Sequence, residues 1–216
     1  LKYGTLQLGL TGEFAVRWSD NNNYSPEDDD DDAGGWSMIP ALSLDIYWPI
    51  NPYVEVNTDI RFAYHHYFGG AGENDWEISG DEGQVSADFG VDFKLGQDGR
   101  LTLYDEISRE IESLRVAREA RDADYSLLTN ILGLRYENQL NRDWNGSIQY
   151  EHKNRWASPR EYDYEDSISD AIDVVFLRRV TPSLKLGPYV RYERIRFPED
   201  RRNDRDVWGG GLSYVW

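Results

Sequence analysis

The chain has 216 residues, with 40 acidic against 23 basic side chains, a net charge of −17 and no cysteine. The negative charge argues against nucleic-acid binding because no basic stripe offsets it, and the lack of thiols excludes disulfides and thiolate metal sites. No run of about eighteen apolar residues is present, so the sequence predicts no transmembrane helix.

Ten stretches of the chain alternate between apolar and polar residues with the period of two that is typical of β-strands. In the first stretch, Leu8, Leu10 and Phe14 share one face, while Gln7 and Glu13 share the other. The fold class predicted from this alternation is all-β. The ten predicted strands are 5–19, 36–48, 53–67, 84–96, 100–112, 125–140, 144–156, 167–180, 184–197 and 206–216.

The connections between these strands alternate in length. Short turns at one end and long polar loops at the other are typical of β-barrels that span the bacterial outer membrane. The sequence therefore predicts an antiparallel up-and-down transmembrane barrel of about ten strands, with residues 1–216 as one domain, and leaves open whether these strands are part of a larger barrel. The predicted turns are 49–52, 97–99, 141–143 and 181–183, and the predicted loops are 20–35, 68–83, 113–124, 157–166 and 198–205.

Seven of the eight tryptophans lie beside chain reversals, all on the apolar side of the alternation. Trp36 and Trp48 are twelve residues apart, as are Trp144 and Trp156, which corresponds to about 30 Å of height at about 3.3 Å per residue and a tilt of about 40°. This height matches a bilayer, so two aromatic belts are predicted. A soluble β-sandwich also alternates, but its core gives no reason to confine tryptophan to strand ends. The predicted belt residues are Trp18, Trp36, Trp48, Trp144, Trp156, Trp208 and Trp216.

The polar side of the alternation carries charges of both signs in nearly equal number. In a barrel these side chains face the lumen, and about eight strands leave room only for side chains. We therefore expect paired charges to fill most of a ten-stranded lumen, whereas a larger barrel would have a water-filled lumen with a slight preference for cations. The predicted lumen charges are Glu13, Arg17, Asp59, Arg61, Asp88, Asp92, Arg135, Glu151, Lys153, Arg155, Arg191 and Glu193.

A few polar residues fall on the apolar side. Asp105, Arg109 and Asn130 cluster on the fifth and sixth predicted strands, and charges facing lipid are costly, so this flank is predicted to contact a protein partner or a second copy. Arg194 and Arg196 are predicted to lie at headgroup height and to meet lipopolysaccharide phosphates. By counting from the turn at 181–183, Asp170 lies level with Arg194.

No cofactor, metal site or catalytic centre is predicted. The acidic run 27–32 lacks the spaced ligands and glycine of a calcium loop, and His65 and His66 point to opposite faces of a strand. At the rim, His65, Asp170 and Asp173 match no arrangement of the outer-membrane proteases. The protein is therefore not expected to be an enzyme.

The last six residues, 211–216 (GLSYVW), resemble the C-terminal assembly signal of bacterial outer-membrane barrels, with glycine five residues before a terminal aromatic. The segments 8–21, 101–107 and 132–216 resemble the putative outer-membrane β-barrel porins. This resemblance implies a bacterial outer-membrane location and contact with lipopolysaccharide. Two functions follow as expectations: a structural or interaction barrel with a charge-filled lumen, and a porin-like channel for small hydrophilic solutes.

Overall fold

The computed structural model describes residues 2–19, 35–68, 82–113, 124–158, 160–199 and 201–215. This part of the chain is almost entirely β-strand, with two short 3₁₀ helices at Arg160–Glu165 and Arg201–Asn203. Neither helix is long or apolar enough to cross a membrane. The strands are β1 Lys2–Tyr3, β2 Leu6–Ser19, β3 Gly35–Asn51, β4 Val54–Phe68, β5 Glu82–Leu95, β6 Gly99–Ser113, β7 Asp124–Gln139, β8 Trp144–Ser158, β9 Ser167–Arg179, β10 Lys185–Arg196 and β11 Arg205–Val215.

The strands form one antiparallel sheet in which each pairs with its neighbours in sequence. The ten predicted strands are confirmed as β2 to β11, and the very short β1 is an addition. Within β2 to β11, tight turns account for four of these pairings, β3 with β4, β5 with β6, β7 with β8 and β9 with β10, because a short connection can join only adjacent antiparallel strands.

Two predicted turns are displaced. The segment 49–52 was expected to be a turn, but β3 continues to Asn51 through an irregularity in register between Pro49 and Asn51. A bulge of this kind accommodates a proline, which has no N–H for the ladder. The next turn begins at Gly96, one residue earlier than predicted, where φ is +72°, a conformation that favours glycine.

The sheet is open rather than closed into a barrel. At one edge β2 pairs with β3 and the two-residue β1, and at the other edge β11 pairs only with β10 within the described residues. The predicted closure of the barrel is therefore not seen in this structure, and closure remains a prediction.

The sheet has two chemically different faces, and burial is confined to one of them. We call the side that carries Asp92 and Tyr104 the polar face and the side that carries Leu103 and Leu132 the apolar face. Large side chains on the apolar face are exposed, with Leu103 at 43% and Leu132 at 48%. Every buried residue of the described part lies on the polar face. These are Ala41, Ala63, Asp92, Tyr104, Leu127, Gly133, Ser167, Ser169, Ala171 and Gly187.

The sheet curls toward its polar face. Arg61 on β4 reaches Glu13 on β2, and Tyr104 on β6 reaches Glu151 on β8, in each case over an intervening strand. Strands two apart are separated by about 9.5 Å in a flat sheet. Contacts over this distance, together with the confinement of burial to the polar face, indicate that this face is concave. Small residues beneath the contacts, such as Ala41 and Gly133, make room for the side chains that cross above them.

Candidate functional site

The polar face holds two hydrogen-bonded groups of side chains, and Asp92, the most buried acid of the described residues, belongs to the first. Its side chain is 6% exposed and accepts hydrogen bonds from Arg100 Nε at 2.9 Å and Arg100 Nη2 at 2.6 Å. Thr102 Oγ1 donates at 2.6 Å and Asn57 Nδ2 at 3.2 Å. A two-pronged arginine contact plus two neutral donors satisfies the carboxylate well, which compensates for its removal from water.

The second group is built around Tyr104, the largest buried side chain of the polar face, which lies over Gly133 on the neighbouring strand. The two residues are register partners, and a Cβ added at Gly133 would come within 2.0 Å of the Tyr104 ring atom Cζ. The ring therefore occupies the space that any other residue at this position would fill. An aromatic ring over a strand glycine covers backbone that would otherwise be open.

The Tyr104 hydroxyl connects β6 to β8. It donates a hydrogen bond to Glu151 Oε1 and accepts one from Gln149 Nε2, both at 2.8 Å. Arg135 Nε donates to Gln149 Oε1 at 2.7 Å, and the guanidinium also lies 5.7 Å from the Tyr104 ring centroid. A single tyrosine thus links side chains from three consecutive strands, β6, β7 and β8.

Arg191 on β10 extends the network to the far side of the sheet. Its guanidinium lies 2.7 Å from Asp173, 3.5 Å from Glu193 and 3.7 Å from Glu151. Because Glu151 also accepts from Tyr104, the polar side chains form one connected chain from β6 to β10. This concave surface is a cross-linked layer of paired charges.

A second zone of the polar face is acidic. Four carboxylates on β3 to β6 are register partners of one another in succession. A cleft of about 390 Å³ lies beside them and is also lined by Tyr47, Asn57 and Tyr104. Among the described residues, no group of three or more His, Asp or Glu side chains is arranged to hold a metal ion. The four acids are Asp45, Asp59, Asp88 and Glu106.

The predicted lumen charges belong to several separate groups in the structure. Glu13 pairs with Arg61 in a half-exposed ion pair at 2.9 Å, near the open β2 edge. Asp59 and Asp88 belong to the acidic row, and the side chain of Arg17 lies outside the described part. Two residues of β8 have serines as register partners on β9: Lys153 beside Ser169 and Arg155 beside Ser167. Asp92 lies in a separate hydrogen-bonded group with Asn57, Arg100 and Thr102. The network around Tyr104 contains Arg135, Glu151, Arg191 and Glu193.

Sequence reasoning missed several members of these groups. Arg100 lies on the same side of the alternation as Asp92, and counting parity from Thr102 would have found it. Tyr104 and Gln149 were missed because only charged residues were sought on this face. The place of Gly133 beneath Tyr104 depends on the pairing of β6 with β7, which composition does not reveal.

The apolar face carries the polar exceptions that the sequence singled out. Asn130 Nδ2 donates to Asp105 Oδ1 on the neighbouring strand and lies 3.4 Å from the Glu106 carbonyl oxygen. Arg109 Nη2 donates to Ser126 Oγ at 3.4 Å, away from Asp105. The structure therefore brings Asp105 and Asn130 together and leaves Arg109 in a separate contact.

A second polar cluster on the apolar face surrounds Asp170. Tyr150 donates its hydroxyl hydrogen to Asp170 at 2.7 Å, His152 Nδ1 lies 2.8 Å from the same oxygen, and Arg196 Nη2 donates to the other oxygen at 2.6 Å. Asp170 and Arg194 are register partners, as the sequence predicted. The ion pair, however, is made by Arg196, because the Arg194 side chain turns toward Asp206, 3.9 Å away.

Six of the predicted belt tryptophans lie in the described part, on the apolar face with their side chains exposed. Trp18 and Trp36 are register partners with ring centroids 5.1 Å apart, and Trp208 lies 4.6 Å from the Tyr192 ring. Trp216, the histidines at 65 and 66 and the acidic run 27–32 lie outside the residues, or the side chains, that the structure describes.

The described geometry contains a histidine next to an aspartate, His152 and Asp170, but the arrangement includes no serine or threonine hydroxyl as a nucleophile. The rim group of His65, Asp170 and Asp173 does not form, since Asp170 and Asp173 lie on opposite faces of β9. Comparison with family models and with curated proteins found no match to this chain. Proposals about its function therefore depend on the geometry of the two faces.

Proposed function

We propose that the protein is a β-barrel of the bacterial outer membrane, in which the apolar face meets lipid and the polar face lines a lumen largely filled by paired charges. Its function is that of a membrane-embedded structural or interaction barrel. No cofactor is required, and no catalytic activity is proposed.

The observation that carries this proposal is the inverted distribution of burial. In a water-soluble sheet the apolar side chains pack into a core and the charged ones face water. Here Asp92 is 4% exposed, whereas Leu10, Phe14 and Leu212 are between 66% and 70% exposed. A hydrocarbon solvent around the apolar face accounts for both facts, because it removes the need for a protein core on that side.

The tryptophans support the same location. Those near the two ends of β3 and β8 are twelve residues apart, which gives about 30 Å of height at the tilt of about 40° found in transmembrane barrels. Aromatic rings favour the two interfaces of a membrane, and this height matches a bilayer core. Arg178 lies 6.0 Å from the Trp144 ring, which is a suitable place for a cation near lipid phosphates.

Partition into membranes tests the location. We expect the chain, refolded with phospholipid vesicles, to co-float with them and to migrate faster on a gel before boiling than after it. A soluble β-sandwich would stay in the aqueous fraction and show no such heat-dependent shift, and that result would rule out the barrel.

Conductance in a planar bilayer distinguishes a scaffold from a pore. The connected layer from Tyr104 to Arg191 crosses the concave face, so we expect little or no steady current. A steady open-channel current would contradict the scaffold reading and support the channel described next.

A porin-like channel for small hydrophilic solutes is the second candidate, favoured by the acidic row and its cleft of about 390 Å³. Rings of carboxylates in a pore favour cations. If current is observed, Asp59→Asn with Asp88→Asn should reduce the preference for K⁺ over Cl⁻. Asp206→Asn, which removes a carboxylate charge from the apolar face, is the control and should leave the preference unchanged.

The flank of Asp105, Arg109 and Asn130 is proposed to contact a protein partner or a second copy. The hydrogen bond between Asn130 and Asp105 satisfies one carboxylate oxygen, and a carboxylate facing lipid remains unfavourable. Asp105→Leu combined with Arg109→Leu should disrupt a complex in mild detergent. An unchanged particle size would count against this interface.

Lipopolysaccharide is the proposed lipid partner of Arg194 and Arg196. Each arginine already has an acidic neighbour, Asp206 and Asp170 respectively, so phosphate would share the guanidinium groups with these acids. Vesicles that contain lipopolysaccharide should bind the double variant Arg194→Ala with Arg196→Ala more weakly than the parent chain; equal binding would argue against the contact.

A further inference from the structure

The two outermost long strands, β2 and β11, leave their outer edges nearly free in the described sheet. Their apolar side chains are among the most exposed in the molecule: Leu10 70% and Phe14 66% on β2, Leu212 70% and Tyr214 72% on β11. A strand edge inside a bilayer cannot leave its N–H and C=O groups unpaired, because hydrocarbon offers no hydrogen bonds. Each edge therefore requires a partner strand if the sheet lies in a membrane.

The register of the sheet indicates which partner fits. Following register partners from Trp208 on β11 leads through Tyr192 on β10 and, strand by strand, to Trp48 on β3. Trp48 lies near the end of β3 that leads into the short turn. Trp36, twelve residues earlier, lies at the end that follows the long connection, beside Trp18. Trp208 lies at the loop end of its strand, as Trp36 does, yet its register partners lead to Trp48 near the turn end of β3. The lines of register partners are therefore inclined to the two tryptophan belts.

A tryptophan halfway across the sheet gives a slope close to that of Trp208, whose row climbs twelve residues over the eight strand steps from β3 to β11. Following register partners from Trp156 on β8 in the same way leads to Leu42 on β3, six residues from Trp36. A climb of six residues over the five strand steps from β3 to β8 corresponds to a strand tilt of about 40°, from a rise of about 3.3 Å per residue and a spacing of about 4.8 Å between strands. That tilt lies in the range of transmembrane barrels, and over ten strand steps it gives an offset of twelve residues.

We propose that β11 binds the outer edge of β2 in the same chain, along Leu10 to Ser19. The two strands pair antiparallel, shifted by twelve residues from the line of register partners that runs through the sheet, so that Trp208 lies opposite Trp18. This inference rests on the proposed membrane location, because the belts supply the reference height. Because the offset is an even number of residues, polar-face side chains of β11 lie beside polar-face side chains of β2, and apolar-face side chains lie beside apolar-face ones. Leu212 then lies opposite Phe14, and the glycines 209–211 lie opposite residues 15–17.

The pairing has a functional consequence for the lumen. A barrel closed by β2 and β11 has ten strands, only slightly more than the number that leaves room for side chains alone. The crossing layer from Tyr104 to Arg191 would then close the lumen, and solutes would not pass freely. A second copy paired at these edges would instead produce a much wider ring.

Cysteine cross-linking tests the partner and the register together, because the native chain has no cysteine. Phe14→Cys with Leu212→Cys places the two Cα atoms about 4.5–5.5 Å apart in the proposed register, within the range for a disulfide. Gly12→Cys with Leu212→Cys and Val16→Cys with Leu212→Cys are the matched controls, displaced by two residues in each direction. Their diagonal separation of about 7–8 Å disfavours the bond.

After insertion into phospholipid vesicles and mild oxidation, we expect an intramolecular disulfide in most of the Phe14/Leu212 variant, seen as a reducible mobility shift of the unfolded monomer. The two controls should form it at least about fivefold more slowly. A faster reaction in either control would overturn the register, and a disulfide-linked dimer would show that the edge binds a second copy. Normal insertion without any cross-link would reject closure alone, whereas failure to insert would reject the membrane barrel itself.

Discussion

Hydrogen-bonded polar side chains lie on both faces of the sheet, but they join different sets of strands. On the polar face, Tyr104 reaches Glu151 over β7, and Arg191 reaches Glu151 over β9. On the apolar face, the contacts of Asp105 with Asn130 and of Asp170 with Arg196 join strands that are already neighbours.

This difference shows what each network can do. A contact that spans an intervening strand holds the curvature of the sheet, and breaking it opens the concave surface. A contact between neighbours adds to a ladder that the backbone already makes, and its loss costs little where the side chains are partly exposed. Polar residues on the concave face should therefore affect stability far more than similar residues on the other face.

The largest effect is expected at Gly133. In Gly133→Val the new Cβ would overlap the Tyr104 ring, which must leave its place, and this should lower the free energy of unfolding by about 3 kcal/mol. Reversible urea unfolding in vesicles, followed by tryptophan fluorescence, measures the change. Gly12→Val is the control, since a Cβ there meets nothing within 4 Å; equal losses in both variants would refute the role assigned to the ring.

The next effect is expected at Asp92. Asp92→Asn keeps the shape but removes the charge that holds Arg100 and Thr102, so the free energy of unfolding should fall by about 2 kcal/mol. Glu13→Gln makes the same chemical change in an exposed pair, where the side chain is 55% exposed, and should cost at most about 1 kcal/mol. Both acids lie on the polar face, so this pair of variants isolates the effect of burial; a larger loss in Glu13→Gln would contradict the weight given to the buried carboxylate.

A smaller effect is expected from removing single hydroxyl groups. Tyr104→Phe deletes the link between Glu151 and Gln149 and should cost about 1 kcal/mol, whereas Tyr150→Phe, on the apolar face, should cost less than half as much. Combining Tyr104→Phe with Glu151→Gln should be less than additive, because both changes break one contact. Strict additivity would indicate that the two residues do not interact.

The smallest effect is expected at the Asp170 cluster. Arg196→Ala should lower the free energy of unfolding by about 0.5 kcal/mol, and Arg194→Ala by less, because Arg196 makes the close contact to Asp170 and Arg194 does not. A larger loss from Arg194→Ala in the same unfolding assay would reverse the assignment of the ion pair.

Much of the polar face could be predicted from parity alone. Alternation assigned Asp92, Arg135 and Glu151 to one face without knowledge of their partners. Parity could not reveal the connection of Tyr104 to Glu151, which depends on curvature across three strands. It also could not decide between Arg194 and Arg196 as the partner of Asp170, since side-chain rotation, not register, selects the contact.

The sequence by itself determined the number of strands, their order and the chemistry of their faces. Alternation with a period of two and short turns are local properties of the sequence, so each strand can be predicted without reference to the others. The tertiary structure decided that the polar face is the concave and buried one, and that the edges of β2 and β11 stand open. Those features depend on stagger and curl accumulated over ten strands, which no single stretch of the chain encodes.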